Sequence, residues 1–218
     1  MEELGTFEWY ADFETLLPHF QDGLIEGDAQ RIFIPGCGNS LLSEKLCTSM
    51  NQTRVTSIDF VPECVVKMNE RNVPGVTYTE GDFLKTGFED KAFDCIIDKG
   101  SFDAICLDSD PESKQSYNEY LIEQLRVLDP TVNGRFLIVS LLQAHVLVAL
   151  LDFFVRGEGN TLHEGYVFDL EVRKLAKMTE VQESKFVPFL LCFTKRTRDG
   201  DNTTPSKLSL KKSLEAPA

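Results

Sequence analysis

Two glycines in the segment Pro35-Gly36-Cys37-Gly38-Asn39-Ser40 have the type and spacing of a ligand-binding turn. The segment follows a short apolar run, Arg31-Ile32-Phe33-Ile34, and precedes a stretch with helical spacing. Glycines between a strand and a helix allow a tight turn and let a ligand approach the backbone at the helix N-terminus. A third glycine two or three residues later would suit a dinucleotide pyrophosphate, but Asn39-Ser40 stand there instead. The loop therefore favours a cofactor without phosphates and disfavours NAD.

An aspartate stands at the end of the next strand-like run. Asp59 lies 21 residues after Gly38, just beyond the run from Arg54 to Ile58. A carboxylate at this position can accept hydrogen bonds from both hydroxyls of a ribose. Asp59 could also serve as an N-cap for the helix that opens at Pro62, but its position and type favour ribose binding.

Two further aspartates end later strand-like runs. Asp82, in Gly81-Asp82-Phe83, could accept the amino proton of an adenine while Phe83 packs against the ring. Its alternative role is that of an ordinary turn residue. Asp98 opens the segment 98–103 and should face the reactive part of the ligand, although it could instead cap a turn before Gly100.

The order of the elements predicts where these residues meet. Strand-like runs alternate with helical stretches, which predicts a mostly parallel sheet with helices on both faces and right-handed crossovers. Ligands of such sheets bind beyond the carboxyl ends of the strands. The four segments 35–40, 59–61, 81–84 and 98–103 should therefore line one crevice.

Hydrophobic periodicity predicts seven strands and five main helices. The last two strands should form an antiparallel hairpin, and the helix over 142–155 should be well buried because it is apolar almost all round. We expect one domain over residues 1–196 and a disordered tail or linker over 197–218. The predicted strands are 31–34, 54–58, 76–79, 93–98, 136–139, 163–170 and 187–194, and the predicted helices are 7–20, 40–49, 62–71, 112–128 and 142–155.

Composition limits the classes of partner. A chain of 218 residues suits one α/β domain, and its net charge of -13 argues against general nucleic-acid binding and favours a basic partner.

No apolar run approaches the roughly 20 residues needed to span a bilayer. Six cysteines without a CxxC pair, and no signal peptide, predict reduced thiols in the cytosol.

Other catalytic or metal-binding patterns are weak. His19, His145 and His163 are far apart and lack metal-ligand spacing, so we predict no metal site. Ser101 and Ser140 lack the G-x-S-x-G elbow of a hydrolase.

Several of these motifs together resemble those of the elongation factor 1-alpha lysine methyltransferases and their relatives. The resemblance covers roughly residues 7–196 and includes the loop 35–40 followed by Leu42-Ser43 and Leu46. It also includes Glu8-Trp9-Tyr10 and the segments 98–104 and 140–145. It implies a Rossmann-like class I methyltransferase with a seven-stranded, mostly parallel sheet and a C-terminal antiparallel hairpin.

The resemblance also implies a donor, an acceptor and a set of site residues. The donor is S-adenosyl-L-methionine, and the acceptor is a protein lysine, on elongation factor 1-alpha, in the cytoplasm. The residues expected to bind the cofactor are Trp9, Gly36, Gly38, Asn39, Asp59, Phe60, Asp82, Phe83 and Asp98. Trp9, Tyr10 and Phe102 are expected to line an aromatic channel for the lysine, where Asp98 would orient the amine.

Three alternatives remain open from the sequence. Only six residues precede Phe7, where related chains carry a Tyr-Trp-containing segment over the cofactor. This difference keeps open a module that binds the cofactor but transfers nothing. Methylation of a small molecule and NAD-dependent oxidoreduction are less favoured, because no long lid and no longer glycine pattern is present.

Overall fold

One mixed β-sheet with helices on both faces organises the chain. The computed structural model describes residues 5–25, 27, 30–108, 110–157, 165–175, 187–197 and 208–209. The strand order across the sheet is β3-β2-β1-β4-β5-β7-β6-β8. The strands are β1 Ile32–Pro35, β2 Val55–Asp59, β3 Val76–Glu80, β4 Cys95–Lys99, β5 Arg135–Ser140, β6 Tyr166–Lys174, β7 Phe189–Thr197 and β8 Leu208–Ser209.

The connections between the strands carry the helices. In the described residues, Asp12 caps α1 and Asp110 caps α5 with side-chain hydrogen bonds to first-turn N–H groups, and Pro62 and Pro111 occupy first-turn positions. The helices are α1 Phe13–His19, α2 Leu42–Met50, α3 Pro62–Glu70, α4 Ser101–Ile105, α5 Pro111–Val127 and α6 Ala144–Leu151, with shorter turns at Phe20–Leu24, Pro130–Val132 and Asp152–Arg156.

Strand β1 shows why the central strands are apolar along their whole length. Ile32 and Ile34 pack into the core on one face of the sheet, while Phe33 packs into the core on the other. All four residues of β1 are buried, as expected for a parallel strand covered on both faces. Because β1 pairs in parallel with β2 and with β4, the carboxyl ends of these three strands lie at one edge of the sheet.

The seven predicted strands and the antiparallel β6–β7 pair are confirmed. The two residues of β8 add a short parallel strand beside β6. Most of the predicted tail over 197–218 lies outside the described residues, although Thr197 still belongs to β7 and Leu208–Ser209 form β8.

Two helix predictions need correction. The helix over 7–20 begins only at Phe13, because the chain bends at Tyr10, which has a left-handed φ of 64°, and Asp12 then caps the first turn. The helix over 142–155 was expected to be buried all round, yet Leu147, Val148 and Val155 are exposed. Only one side of that helix reaches the sheet, and its outer side faces solvent.

Candidate functional site

A cavity of about 660 Å³ lies beyond the carboxyl ends of β1, β2 and β4. Its volume is within the range of about 300–1,000 Å³ typical of small-molecule sites. Three of the four predicted segments contribute several residues to its wall, and Phe83 contributes from the fourth. The lining consists of Phe7, Trp9, Tyr10, Ile34, Gly36, Cys37, Gly38, Asn39, Ser40, Leu42, Ser43, Asp59, Phe60, Val61, Cys64, Phe83, Lys99, Gly100, Ser101, Asp103, Ala104 and Ile105.

The glycine loop after β1 forms one wall of this cavity. Gly36 and Gly38 have φ values of 62° and 53°, a left-handed conformation that other residues adopt at a cost. A Cβ atom on Gly36 would lie 2.3 Å from the Oγ atom of Ser101, so the loop touches the first turn of α4. Ser101 Oγ donates a hydrogen bond to the carbonyl of Pro35 at 2.8 Å, which fixes the two loops together.

Asp59 ends β2 with its side chain turned toward this loop. Its Oδ2 atom accepts a hydrogen bond from Gly38 N at 2.8 Å, and its Oδ1 atom accepts one from Val61 N at 3.0 Å. Each carboxylate oxygen can accept a further hydrogen bond. Because Asp59 also lines the cavity, these remaining positions suit a pair of ligand hydroxyls.

Two aromatic residues flank Asp59 along the cavity. Phe60 is 69% exposed and follows Asp59 directly, while Phe83 enters from the loop after β3. Aromatic side chains in a cavity wall can pack against a flat ring of a ligand. Asp82 stands outside the cavity lining, and its Oδ1 atom accepts a hydrogen bond from Leu84 N at 2.8 Å. In this structure it caps a turn.

The roles expected for Asp98, as a contact of both cofactor and acceptor, and for Phe102, as an acceptor contact, need correction. Both side chains are 0% exposed, and neither lines the cavity. Asp98 accepts hydrogen bonds from Ser101 N, Phe102 N and the hydroxyl of Tyr120. Burial raises the pKa of Asp98 to about 7. Asp98 therefore supports the first turn of α4 from behind, and Phe102 packs in the core beneath it.

Asp103, two positions after Ser101, is the carboxylate that faces the cavity from α4. Its Oδ2 atom accepts a hydrogen bond from Leu141 N at 3.1 Å, while its Oδ1 atom has no hydrogen-bond partner among the described residues. Burial, followed by the charge of Asp103, raises the pKa of Tyr10, so this phenol keeps its proton. The sequence motif 98–104 contained Asp103, but its side-chain direction could not be read from spacing.

The N-terminal segment covers the remaining side of the cavity. Phe7 and Trp9 are 52% and 61% exposed and pack edge to face with ring centroids 5.0 Å apart. Asn39 does not point its amide into open space, because Nδ2 donates to the carbonyl of Gly5 at 2.6 Å. The segment is thus attached to the glycine loop.

Two cysteines in the lining are protonated at neutral pH. Burial raises the pKa of Cys37 and of Cys64, and the nearby charge of Asp59 raises both further. A protonated thiol is a poor nucleophile, so neither residue is arranged for covalent catalysis.

The described part of the chain contains neither a cluster of metal-ligating side chains nor a helix of membrane-spanning length. No group of three His, Cys, Asp or Glu side chains is placed to hold a metal ion there. None of the helices in the same ranges is long and apolar enough to cross a bilayer.

Sequence comparisons relate the chain to methyltransferases. The pattern of a family described as "Methyltransferase domain" matches residues 32–130. The chain is 35% identical over 198 residues to the eEF1A lysine and N-terminal methyltransferase of Xenopus laevis, covering 85% of this chain and 28% of that protein. It is 28% identical to EEF1A lysine methyltransferase 4 of Mus musculus, covering 91% of this chain and 82% of that protein. The chain thus spans little more than a quarter of the first relative's length.

Solved structures share the fold at low sequence identity. A putative methyltransferase of Haloferax volcanii, in complex with the Trm112 activator, superimposes with a TM-score of 0.58 and 16% identity over 84% of this chain and 89% of that one. A SAM-dependent methyltransferase of Methanosarcina mazei gives a TM-score of 0.55 and 15% identity over 85% and 99% of the two chains.

Proposed function

We propose that this chain is a class I S-adenosylmethionine-dependent methyltransferase that methylates a lysine side chain of a protein, with elongation factor 1-alpha as the acceptor. One observation carries the proposal. The glycine loop, Asp59 and an aromatic mouth formed by Phe7, Trp9 and Tyr10 line the same cavity.

The described residues fit the cofactor's parts. Gly38 has no heavy atom within 4 Å of where a Cβ would stand, so its backbone is open to a ligand. Gly36, Gly38 and Asn39 would border the methionine part, and Asp59 would accept hydrogen bonds from the ribose hydroxyls. Phe60 and Phe83 would enclose the adenine. Asp82 would assist only by shaping its turn, because its side chain stands outside the lining.

The aromatic mouth suits the acceptor. A lysine presents a long apolar stem and a terminal amine, and aromatic side chains pack well against such stems and cations. Trp9 and Tyr10 would hold this stem, and Asp103 offers a carboxylate near the end of the channel. Asp98 would act through the backbone of Ser101 and Phe102 rather than by contact with the amine.

When bound, S-adenosylmethionine supplies a methyl group on a sulfonium, whose C–S bond breaks with both electrons going to sulfur as the amine nitrogen forms the N–C bond. The chain's residues contribute mainly alignment, which can be worth about 7–11 kcal/mol. The amine must first lose a proton, at a cost of roughly 5 kcal/mol at pH 7. An aromatic channel with little water lowers the amine pKa and so reduces that cost.

The proposed acceptor rests on relatives and on charge. Proteins similar to this chain carry the names eEF1A lysine and N-terminal methyltransferase and EEF1A lysine methyltransferase 4. The net charge of -13 favours a basic partner. The proposed compartment is the cytosol, where the six free cysteines would stay reduced.

The test is a transfer assay with labelled S-adenosylmethionine. Recombinant elongation factor 1-alpha and a whole-cell extract are offered separately, and labelled proteins are identified by mass spectrometry. Asp59→Ala serves as the control for transfer that depends on this cavity.

Each outcome decides between the hypotheses. Label on a lysine of elongation factor 1-alpha supports the proposal, whereas label on another protein, or on an N-terminal amine, overturns the proposed acceptor. Label on a small molecule favours the corresponding alternative. Binding of the cofactor without transfer in either mixture favours a non-catalytic module.

A further inference from the structure

We propose that Lys99, held in place by Glu8, binds the carboxylate of the amino-acid head of S-adenosylmethionine. This inference rests on the proposed function, since it concerns the same cavity. It assigns a role to a buried ion pair that the cofactor loop and the acceptor channel leave unexplained.

Lys99 is the cation that this cavity offers within the described residues. It ends β4 and lines the cavity beside Gly100 and Ser101, and its side chain is only 5% exposed. A buried ammonium is costly unless it is paired and fully hydrogen-bonded. Its position at the cavity wall therefore calls for a specific set of partners.

Two of those partners come from the N-terminal segment. The Nζ atom of Lys99 lies 2.8 Å from Glu8 Oε2 and donates a hydrogen bond to the carbonyl of Trp9 at 3.3 Å. An ammonium has three N–H donors. Among the residues that the structure describes, the third donor has no partner, which leaves a position for an anionic ligand group.

Glu8 also determines where such an anion cannot bind. The N-terminus of α2 would otherwise attract a carboxylate. Glu8 Oε1 already accepts a hydrogen bond from Leu41 N at 2.7 Å, and Glu8 Oε2 accepts one from the hydroxyl of Ser40 at 2.7 Å. The N–H of Leu41, just before α2, is thus occupied by the protein's own carboxylate, and Lys99 is the cation that the lining offers to a ligand.

The surrounding contacts place this ammonium at the correct end of the cavity. Ser101 ties the loop after β4 to Pro35 in the glycine loop, and the ring of Tyr10 lies 3.2 Å from where a Cβ of Gly100 would stand. Lys99 thus stands between the glycine loop and the acceptor channel. Asp59 and Phe83, the residues proposed to contact the adenosine part, reach the cavity from the ends of β2 and β3. An amino-acid head carrying a carboxylate fits between these two regions.

The experiment compares two ligands that differ only in that carboxylate. S-adenosylhomocysteine and its decarboxylated analogue are titrated calorimetrically into the wild type, Lys99→Met and Lys99→Arg. We expect Lys99→Met to weaken S-adenosylhomocysteine about 10- to 100-fold, as for loss of a hydrogen bond between charged groups. The same change should alter binding of the decarboxylated analogue less than about 3-fold.

Two controls separate binding from folding. Lys45→Met removes a lysine that pairs with Glu14 at 3.3 Å and does not line the cavity, so both ligands should bind it as they bind the wild type. Lys99→Arg keeps the charge and should restore most of the preference for the carboxylate. A third variant, Glu8→Gln, removes the charge and turns one of the two accepting oxygens into a donor, so it removes the support of Lys99 and should weaken S-adenosylhomocysteine more than the decarboxylated ligand.

The outcomes are distinct. Equal losses for both ligands in Lys99→Met would mean that Lys99 only supports the fold, and the inference would be overturned. If Lys99→Met does not fold, the wild type and Lys99→Arg are compared instead. The inference would also be overturned if each of these two proteins bound the two ligands with equal affinity. No binding of S-adenosylhomocysteine to the wild type would instead contradict the proposed function.

Discussion

The Oδ2 atom of Asp59 accepts a hydrogen bond from the backbone N–H of Gly38 at 2.8 Å, across a separation of 21 residues. One carboxylate therefore holds the glycine turn and faces the cavity in which a ribose would lie. Binding and loop structure are coupled through this contact. Any experiment on Asp59 has to separate the two effects.

The coupling predicts a ligand-dependent loss in Asp59→Asn. The new amide NH₂ would face the N–H of Gly38 or Val61, which should destabilise the fold by about 1–3 kcal/mol. S-adenosylhomocysteine should bind at least about 10-fold more weakly to the variant. The wild type should prefer this ligand to its 2′,3′-dideoxy analogue, and the variant should not. An unchanged preference would show that Asp59 serves the turn alone.

Substitution of Gly36 should weaken cofactor binding, whereas the matched change at Gly87 should not. Gly36 has a φ of 62° and Gly87 a φ of 73°, both in the left-handed region. Alanine at either position therefore costs about 1–2 kcal/mol of unfolding free energy. Only at Gly36 does the added Cβ meet a neighbour, Ser101 Oγ at 2.3 Å. Calorimetry should show at least a 10-fold weaker affinity in Gly36→Ala; equal affinities in the two variants would contradict the assigned loop.

The buried Asp98 should make stability depend on pH. A carboxyl whose pKa rises from 3.8 to about 7 on folding binds its proton more tightly in the folded protein. Its contribution is complete below pH 4 and is lost as the pH rises through about 7. The unfolding free energy of the wild type minus that of Asp98→Asn should fall over this interval, by up to about 4 kcal/mol. Denaturant titrations at several pH values measure it, and a pH-independent difference would disprove the burial effect.

Trp9 should contribute to methyl transfer but little to the unfolding free energy. Its side chain is 61% exposed, so Trp9→Ala should change the unfolding free energy by less than about 1 kcal/mol. Loss of the aromatic wall should lower kcat/KM for a protein acceptor at least about 10-fold. Leu107→Ala removes another exposed apolar side chain, 72% exposed and outside the lining, and should leave kcat/KM unchanged. Similar rates in all three proteins would remove Trp9 from the acceptor site.

Lys195 should stabilise the end of α5 from β7. It is 2% exposed, donates hydrogen bonds to the carbonyls of Leu125 and Leu128, and lies 4.1 Å from the ring centre of Tyr166. Lys195→Met leaves these acceptors without a donor and should cost about 1–3 kcal/mol. Arg196→Met removes an exposed ion pair with Asp169 and should cost under about 1 kcal/mol. Denaturant midpoints that are equal in the two variants would contradict this role.

Local sequence was enough to determine the sheet and the main binding loops. Ile32, Phe33 and Ile34 are apolar in sequence and buried on two faces, so their strand was predictable from the run itself. The loops at Gly36 and Asp59 follow from this, because parallel strands end at one edge of a sheet. Phe60 and Phe83 were placed by the same reasoning.

Only the tertiary structure decided whether the remaining side chains point into the core or into the cavity. Asp98 and Asp103 lie five residues apart in one motif, yet Tyr120 and the first turn of α4 enclose the former while the latter reaches the cavity. The Glu8–Lys99 pair joins residues 91 positions apart in sequence. Periodicity fixes which residues form an element, but burial and charge pairing depend on which distant element packs against it, and that depends on the folded chain as a whole.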